Sequence, residues 1–395
     1  MKILTFNYEY PPLGGGGGVV HELLAEELSK RHRVAVITSA YSNLRGREVR
    51  GGVEIHRVPV FLRKDQSVAT LASMLFYPPA AWIKAAELMS RERFDVINGH
   101  FAVPTGPGSL PPAKLGRIPH VLTIQGGDIY DPSKKLSPHR LPGARAAVTF
   151  VLRHSDAVIA ASTNTRDNAY RYYGYGGPIE IIPLGIRQPV VPQSTREALG
   201  LPEGAFLLVT VGRLVKRKAI DDLLRAVARP ECSRVELIVV GDGPEREALE
   251  SIAAALGLST RVRFLGRVEE IRKWQILENA NAYVSSTMHE GFGLVYLEGM
   301  AAGLPVVTPD HGGQVDFLRD GETGYVVPAG DLPALARAIA RLAERPDEAA
   351  RMGALNRSRA QEHSIQNCAR RYEDVFERVV NRRARARAGV ASERP

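Results

Sequence analysis

Cysteine is nearly missing from this 395-residue sequence: Cys232 and Cys368 are the only two, and no Cys-x-x-Cys spacing occurs. That excludes a disulfide framework and a zinc knuckle, and it fits a reducing cytoplasm. No apolar run reaches the roughly 18–20 residues needed to cross a bilayer. The opening Met1–Phe6 reads as a first strand and lacks a signal-peptide layout. No lysine precedes Ser or Thr, so there is no Walker phosphate loop. Asp-x-Asp pairs are absent too, removing one familiar metal anchor. A nucleic-acid motif or interleaved aromatic platform is also lacking, and no nucleic-acid partner is expected.

What is present is globular: 44% apolar and 24% charged residues. The length predicts two domains of roughly 150–200 residues. The net charge of +9 is uneven. Residues 1–185 hold 22 basic and 15 acidic side chains, 186–377 hold 24 and 27, and 378–395 hold 6 and 1. A basic half beside a mildly acidic one points the first half at an anionic partner: a membrane surface, a phospholipid-linked acceptor or a phosphate. A merely solvated basic surface is the alternative.

Short apolar runs alternate with helical periodicity, as βαβ units do. Strands are expected at 2–6, 34–38, 53–59, 95–98, 120–124 and 157–161, then at 206–211, 235–240, 262–265, 282–285 and 305–308. Pro78-Pro79 interrupts an apolar stretch between Phe61 and Met89 that periodicity does not resolve. The Pro-rich 186–204 reads as a linker. It divides an N-terminal domain, 1–185, from a C-terminal one, 205–365, with a final helix and basic tail at 366–395. Two such α/β domains facing across a cleft would bind ligand at the carboxyl ends of their strands.

The glycines lie at those ends. Gly14–Gly18, with Gly15, Gly16 and Gly17 at its centre, opens the first helix, where close backbone approach and free amides suit a phosphate or a cluster of sugar hydroxyls. In the second half, Gly212-Arg213-Leu214 ends a strand and Lys216-Arg217-Lys218 follows. Arg213 offers a planar fork of donors and Lys218 a point charge, a pairing suited to a diphosphate. Glu290 and Glu298 enclose Gly291, Phe292, Gly293, Leu294 and Val295. On a continuous helix they would sit about 80° apart. The two glycines favour a loop instead, with a helix starting near Leu294 and its amides aimed at an anion.

The stretch from Glu290 to Glu298 resembles the E-x7-E signature of the retaining family-4 glycosyltransferases, which have the GT-B fold of two Rossmann-like parallel-sheet domains. Gly212-Arg213-Leu214 with Lys218, Gly241-Asp242-Gly243-Pro244, Gly266-Arg267-Val268, the run Gly299–Val307, Gly312-Gly313 and Gly321-Glu322-Thr323-Gly324 extend the resemblance, which with the N-terminal glycine loop covers nearly the whole chain. It implies that Arg213 and Lys218 neutralise the departing diphosphate and that Glu298 binds the ribose. Glu290, Phe292 and Gly293 would face the transferred sugar. The amides of Leu294 and Val295 would hold phosphate oxygens, Arg267 and Val268 would lie beside the base, and Gly15–Gly17 would close over the donor phosphates or the acceptor. The donor is then a nucleotide diphosphate sugar and the acceptor a glycan, lipid-linked or small molecule. No metal or other cofactor is expected.

Departures from the family pattern occur in the first half. Where it often has His-x-His, Asn98-Gly99-His100 keeps one histidine, and Gln125-Gly126-Gly127-Asp128 has none before its glycines. His100 and Asp128 are the expected catalytic candidates there. A nucleotide-sugar epimerase of related architecture and a non-catalytic nucleotide-sugar binder are the competing readings. Leu71–Met89, near Arg63-Lys64, either rests on the anionic inner face of the cell membrane or is a buried segment. The tail Arg382–Arg387 either assists membrane contact or is disordered.

Overall fold

The computed structural model describes residues 1–63 and 70–392, with side chains to residue 386. Lys64 and the Arg387 side chain, both named above, lie outside the described residues. Two compact units form: Met1–Gly185 together with the segment from Ile365 onward, and Ile186–Ser364.

In the first unit β1 (Lys2–Asn7), α1 (Gly16–Ser29), β2 (Arg33–Ser39), β3 (Arg47–Arg50), β4 (Val53–Val58), α2 (Leu71–Arg91), β5 (Val96–His100), α3 (Thr105–Gly116), β6 (His120–Ile124), α4 (Pro142–His154), β7 (Ala157–Ala160), α5 (Thr163–Tyr173) and β8 (Glu180–Ile181) follow in chain order. The sheet order is β3-β4-β2-β1-β5-β6-β7-β8. Pairing is parallel except where β3 runs antiparallel on β4. Its inner strands are buried on both faces, which is why they read as nearly continuous apolar runs. Alternation splits them cleanly. Ile3, Val34, Val36 and Val96 pack towards α1, whereas Leu4, Phe6, Ile37 and Ile97 pack towards α2 and α3. Leu122 and Ile124 continue that second face under α3 and α4.

The second unit holds β9 (Phe206–Val211), α6 (Ile220–Val227), β10 (Val235–Val240), α7 (Arg246–Ala255), β11 (Val262–Gly266), α8 (Glu270–Asn279), β12 (Ala282–Val284), α9 (Leu294–Ala301), β13 (Val306–Pro309), β14 (Gly324–Val327), α10 (Leu332–Glu344) and α11 (Pro346–Ala360). Its parallel sheet runs β11-β10-β9-β12-β13-β14. The chain then returns to the first unit as α12 (Ile365–Ser392). Its Ile365, Ala369, Tyr372 and Phe376 pack on the α1 face of the first sheet.

Three features go beyond the sequence expectation. First, α2 runs straight through Pro78 and Pro79. Each removes a helical donor, at about 3 kcal/mol in a helix interior. A Thr70–Ser73 capping box and the buried Tyr77, Ala81, Ala85 and Leu88 hold the helix in place. Second, the Gly- and Pro-rich 105–116 is helical. A Cβ on Gly108 would stand 3.3 Å from the Tyr77 ring and one on Gly106 2.8 Å from Val151, so these glycines let α3 nest closely between α2 and α4. Third, the basic tail continues α12 as helix to Ser392.

Candidate active site

Glycines fix the loops at the carboxyl ends of β9 and β10. Gly241 has φ +135°, and a Cβ there would lie 1.8 Å from the Gly212 carbonyl oxygen. On Gly243 one would lie 2.3 Å from that of Leu214. Main-chain bonds join the same loops: Leu214 donates to Asp242 at 3.0 Å and Glu245 to Leu214 at 3.1 Å. The close packing shapes a small pocket lined by Thr210, Gly212, Arg213, Lys218 and Ser285 among others. Arg213 is exposed at its rim. Lys218 lies over Gly212, whose missing side chain leaves room for its Cε.

The turn that carries Lys218 is clamped to the loop before Glu290. Met288 N–H and the Thr287 hydroxyl both donate to the Arg217 carbonyl, at 2.9 and 3.1 Å. The Ser286 hydroxyl donates to the Ala219 carbonyl at 2.6 Å. Lys218 Nζ then meets Glu290 Oε2 at 2.6 Å. Arg217 Nη1 donates to the His289 carbonyl at 2.7 Å and stands 3.5 Å from Glu290 Oε1. Burial pushes the Glu290 carboxyl up, but the Lys218 and Arg217 charges outweigh it and hold the group at about 2. An ammonium has three donors, so Lys218 can keep Glu290 and still reach a phosphate. Gly313 N–H ties the Glu290 carbonyl from behind at 2.8 Å.

After Glu290, Gly293 takes φ +97° and α9 begins at Leu294 with no side-chain cap and no acidic residue in its first turn. The first-turn N–H groups of a helix lack helical acceptors, and here those include Leu294 and Val295. The Phe292 ring is buried against Phe317, centroids 5.0 Å apart. Glu298 sits on α9 with Oε1 2.8 Å from Lys273 Nζ of α8. Burial raises its carboxyl, and the Lys273 charge offsets part of that. Both glutamates act electrostatically on the buried Tyr283 phenol of β12. Arg267 is exposed and Val268 half-buried just beyond β11.

Two roles are not evident from the sequence. Arg217 is a brace for the Glu290 loop. Lys273 orients Glu298 from another helix, and no local pattern announces that pairing.

In the first unit the two expected catalytic residues are both buried. His100 is 1% exposed, with the His21 ring tilted against it (3.9 Å) and the Tyr372 ring parallel to it (6.1 Å). Burial holds it neutral, down at about 3, so it lies beneath the surface. Asp128, also buried, accepts main-chain N–H bonds from Ala102 (2.6 Å), Gln125 (3.0 Å) and Gly126 (2.9 Å). Those bonds make it a loop brace. In the glycine loop, Gly15 precedes α1 and faces open space, Gly16 starts the helix, and Gly17 abuts Phe101 and Gln125. Glu9 Oε2 accepts from the Gly15 N–H at 3.3 Å, so an internal carboxylate already occupies an amide that a phosphate would use.

Residues 192–359 match the family described as Glycosyl transferases group 1, and residues 14–187 the one described as Glycosyltransferase Family 4. Among curated proteins, the chain is 28% identical to the N-acetyl-alpha-D-glucosaminyl L-malate synthase of Bacillus anthracis, over 83% of this chain and 84% of that one. It is 33% identical to the D-inositol 3-phosphate glycosyltransferase of Streptomyces scabiei (strain 87.22), over 62% and 59%. Among solved structures, sucrose-phosphate synthase from Thermosynechococcus elongatus superposes with TM-score 0.83 at 22% identity, covering 96% of this chain and 99% of that one. Anabaena HepE in complex with UDP-glucose superposes with TM-score 0.74 at 20% identity, covering 95% and 99%. These two likenesses show the shared fold.

Proposed function

Because this chain belongs to the glycosyltransferases of family 4 and group 1, we propose that it moves a sugar from a nucleotide diphosphate sugar to an acceptor hydroxyl, retaining the anomeric configuration and using no metal. The observation that carries this reading is Lys218, which pairs with Glu290 at 2.6 Å and lines one pocket with Arg213. Leaving-group charge is the main barrier to breaking a sugar–phosphate bond, and fixed cations and amide dipoles aimed at it supply the largest catalytic term. Lys218, Arg213 and the first turn of α9 provide such groups without an ion. Glu298, oriented by Lys273, is the anchor for ribose hydroxyls. HepE, solved with UDP-glucose, supports a donor of that chemical class.

In the transfer, the bond from the anomeric carbon to the diphosphate oxygen breaks and one to the acceptor oxygen forms on the same face. The acceptor proton passes to a phosphate oxygen, and the nucleoside diphosphate leaves. Glu290 stays ionised throughout the physiological range and holds Lys218 in place beside the reacting sugar. The glycine loop of the first unit, its Gly15 amide already held by Glu9, is better suited to hydroxyls than to phosphate, which supports an acceptor role over a donor-phosphate one.

A panel of nucleotide sugars tests this. One donor should yield nucleoside diphosphate and a glycosylated acceptor of unchanged anomeric configuration by NMR, with full rate in excess chelator. Inverted product or chelator-abolished turnover would refute the corresponding half of the reading. An epimerised donor without transfer would refute it altogether.

A further inference from the structure

The α2–α3–α4 layer of the first unit carries a surface that the transfer chemistry does not use. The buried side of α2 is Tyr77, Ala81, Ala85 and Leu88, but its other side exposes Leu71 (54%), Leu75 (70%), Trp82 (42%) and Ile83 (74%). These recur at helical spacing and form one apolar stripe. Phe61, 63% exposed, packs edge-on against Phe76 beside it. On α3 Leu115 is 86% exposed, and on α4 Phe150 is 56% exposed. Trp82 Nε1 donates to the Pro107 carbonyl, tying the α2 stripe to α3.

Charge completes the pattern. From residue 105 to 154 the chain has seven cations: Lys114, Arg117, Lys134, Lys135, Arg140, Arg145 and Arg153. Its two acids there, Asp128 and Asp131, are both buried; Asp131 stands 3.3 Å from Lys134, and Asp156 just beyond stands 3.6 Å from Lys114. Along α2 the one carboxylate is Glu87, paired with Lys84 and Arg91. The turn 138–140 and α4 border an open groove of about 560 Å³ lined by Arg140, Arg145 and Arg153. Arg63, expected at this surface, turns inward: it donates to Ser39 and lies over the Tyr8 ring.

We propose that this layer docks on an anionic lipid bilayer. The apolar stripe of α2 with Leu115 and Phe150 would enter the interface, and Arg145 and Arg153 of α4, with Lys114 of α3 beside Asp156, would meet lipid phosphates. Exposed apolar side chains interleaved with cations of one sign suit a headgroup boundary. An acidic soluble protein would satisfy the cations while leaving the stripe wet.

The test is co-sedimentation of the full chain with vesicles, without donor or acceptor, so that it stands or falls apart from the proposed transfer. The chain should bind phosphatidylcholine vesicles containing phosphatidylglycerol and not pure phosphatidylcholine. Arg145→Glu with Arg153→Glu should weaken binding by about thirty-fold or more, the fold-change for two cations at about 1 kcal/mol each. Leu75→Glu with Ile83→Glu should abolish it, while Arg337→Glu, on α10 of the other unit, should leave it unchanged. Circular dichroism of each variant establishes that it is folded. Failure to bind, equal binding to both vesicles, or indifference to the α2 and α4 changes would overturn the proposal. So would a self-associated chain that Ile83→Glu dissociates without any vesicle binding.

Discussion

At the scale of single residues, the site is a set of charges held in register by bonds between two loops. Glu290→Gln keeps the shape but removes the ion that orients Lys218. Transfer should fall by about 10²–10³-fold, the range for removing one preorganised electrostatic contact, while calorimetry should show nucleoside diphosphate still binding. Unchanged turnover would refute the role given to Glu290. The same variant carries a stability signature. With its folded carboxyl at about 2, Glu290 favours the folded state above its ordinary 4.5, a contribution lost as pH falls from 4.5 towards 2. The loss amounts to about 3 kcal/mol, and urea titrations should show it in the wild type but not in Glu290→Gln. Glu290, Lys218 and Arg213 could be read from the sequence because strand-end glycines, clustered cations and an unusual carboxylate spacing are local patterns. Lys273 could not, since its link to Glu298 exists only after α8 and α9 pack. The burial of His100 and Asp128 was not legible for a related reason: polar residues at strand ends look alike whether they face solvent or fill the space beneath a loop.

At the scale of elements, apolar strands buried on both faces announced themselves, with ends displaced by a residue or two. The edge strand β3, Arg-Glu-Val-Arg, gave no such signal because one side of it faces water. α3 was hidden by Gly106, Gly108, Pro111 and Pro112, whose low helix propensity is overruled by nesting between neighbours. Where glycine enables close packing, its replacement should be costly. Gly241→Ala would force a Cβ into the Gly212 carbonyl at a positive φ. A loss of about 2–4 kcal/mol is expected from overpacking plus backbone strain, along with a higher KM for donor as the Gly212–Leu214 loop shifts. Gly15→Ala, with nothing within 4 Å of the added carbon, should leave stability within about 0.5 kcal/mol. Chemical denaturation of the two variants side by side checks both values.

At the scale of the whole molecule, the two units should respond differently to acid. The first encloses His21, His100 and His120, all lowered by burial, the last two to about 3. Below pH 6.5 the unfolded histidines take up protons that the folded ones refuse, so stability falls as pH drops, by about 1.4 kcal/mol per pH unit for each. In the second unit the Glu290 term begins only below 4.5, and the raised Glu298 acts in the opposite sense. Between pH 6.5 and 4.5 the first unit, with three such histidines, should therefore weaken more than the second, which buries His289. The two tryptophans report on them separately: Trp274→Phe leaves Trp82 in the first, and Trp82→Phe leaves Trp274 in the second. Equal acid sensitivity in the two variants would refute this. The most direct test of the donor site is calorimetric titration with a nucleoside diphosphate and with the matching nucleoside, in the wild type and in Arg213→Met with Lys218→Met. The wild type should prefer the diphosphate by about 10²-fold or more, and the double variant should lose that preference while still binding the nucleoside. An undiminished preference in the double variant would contradict the account.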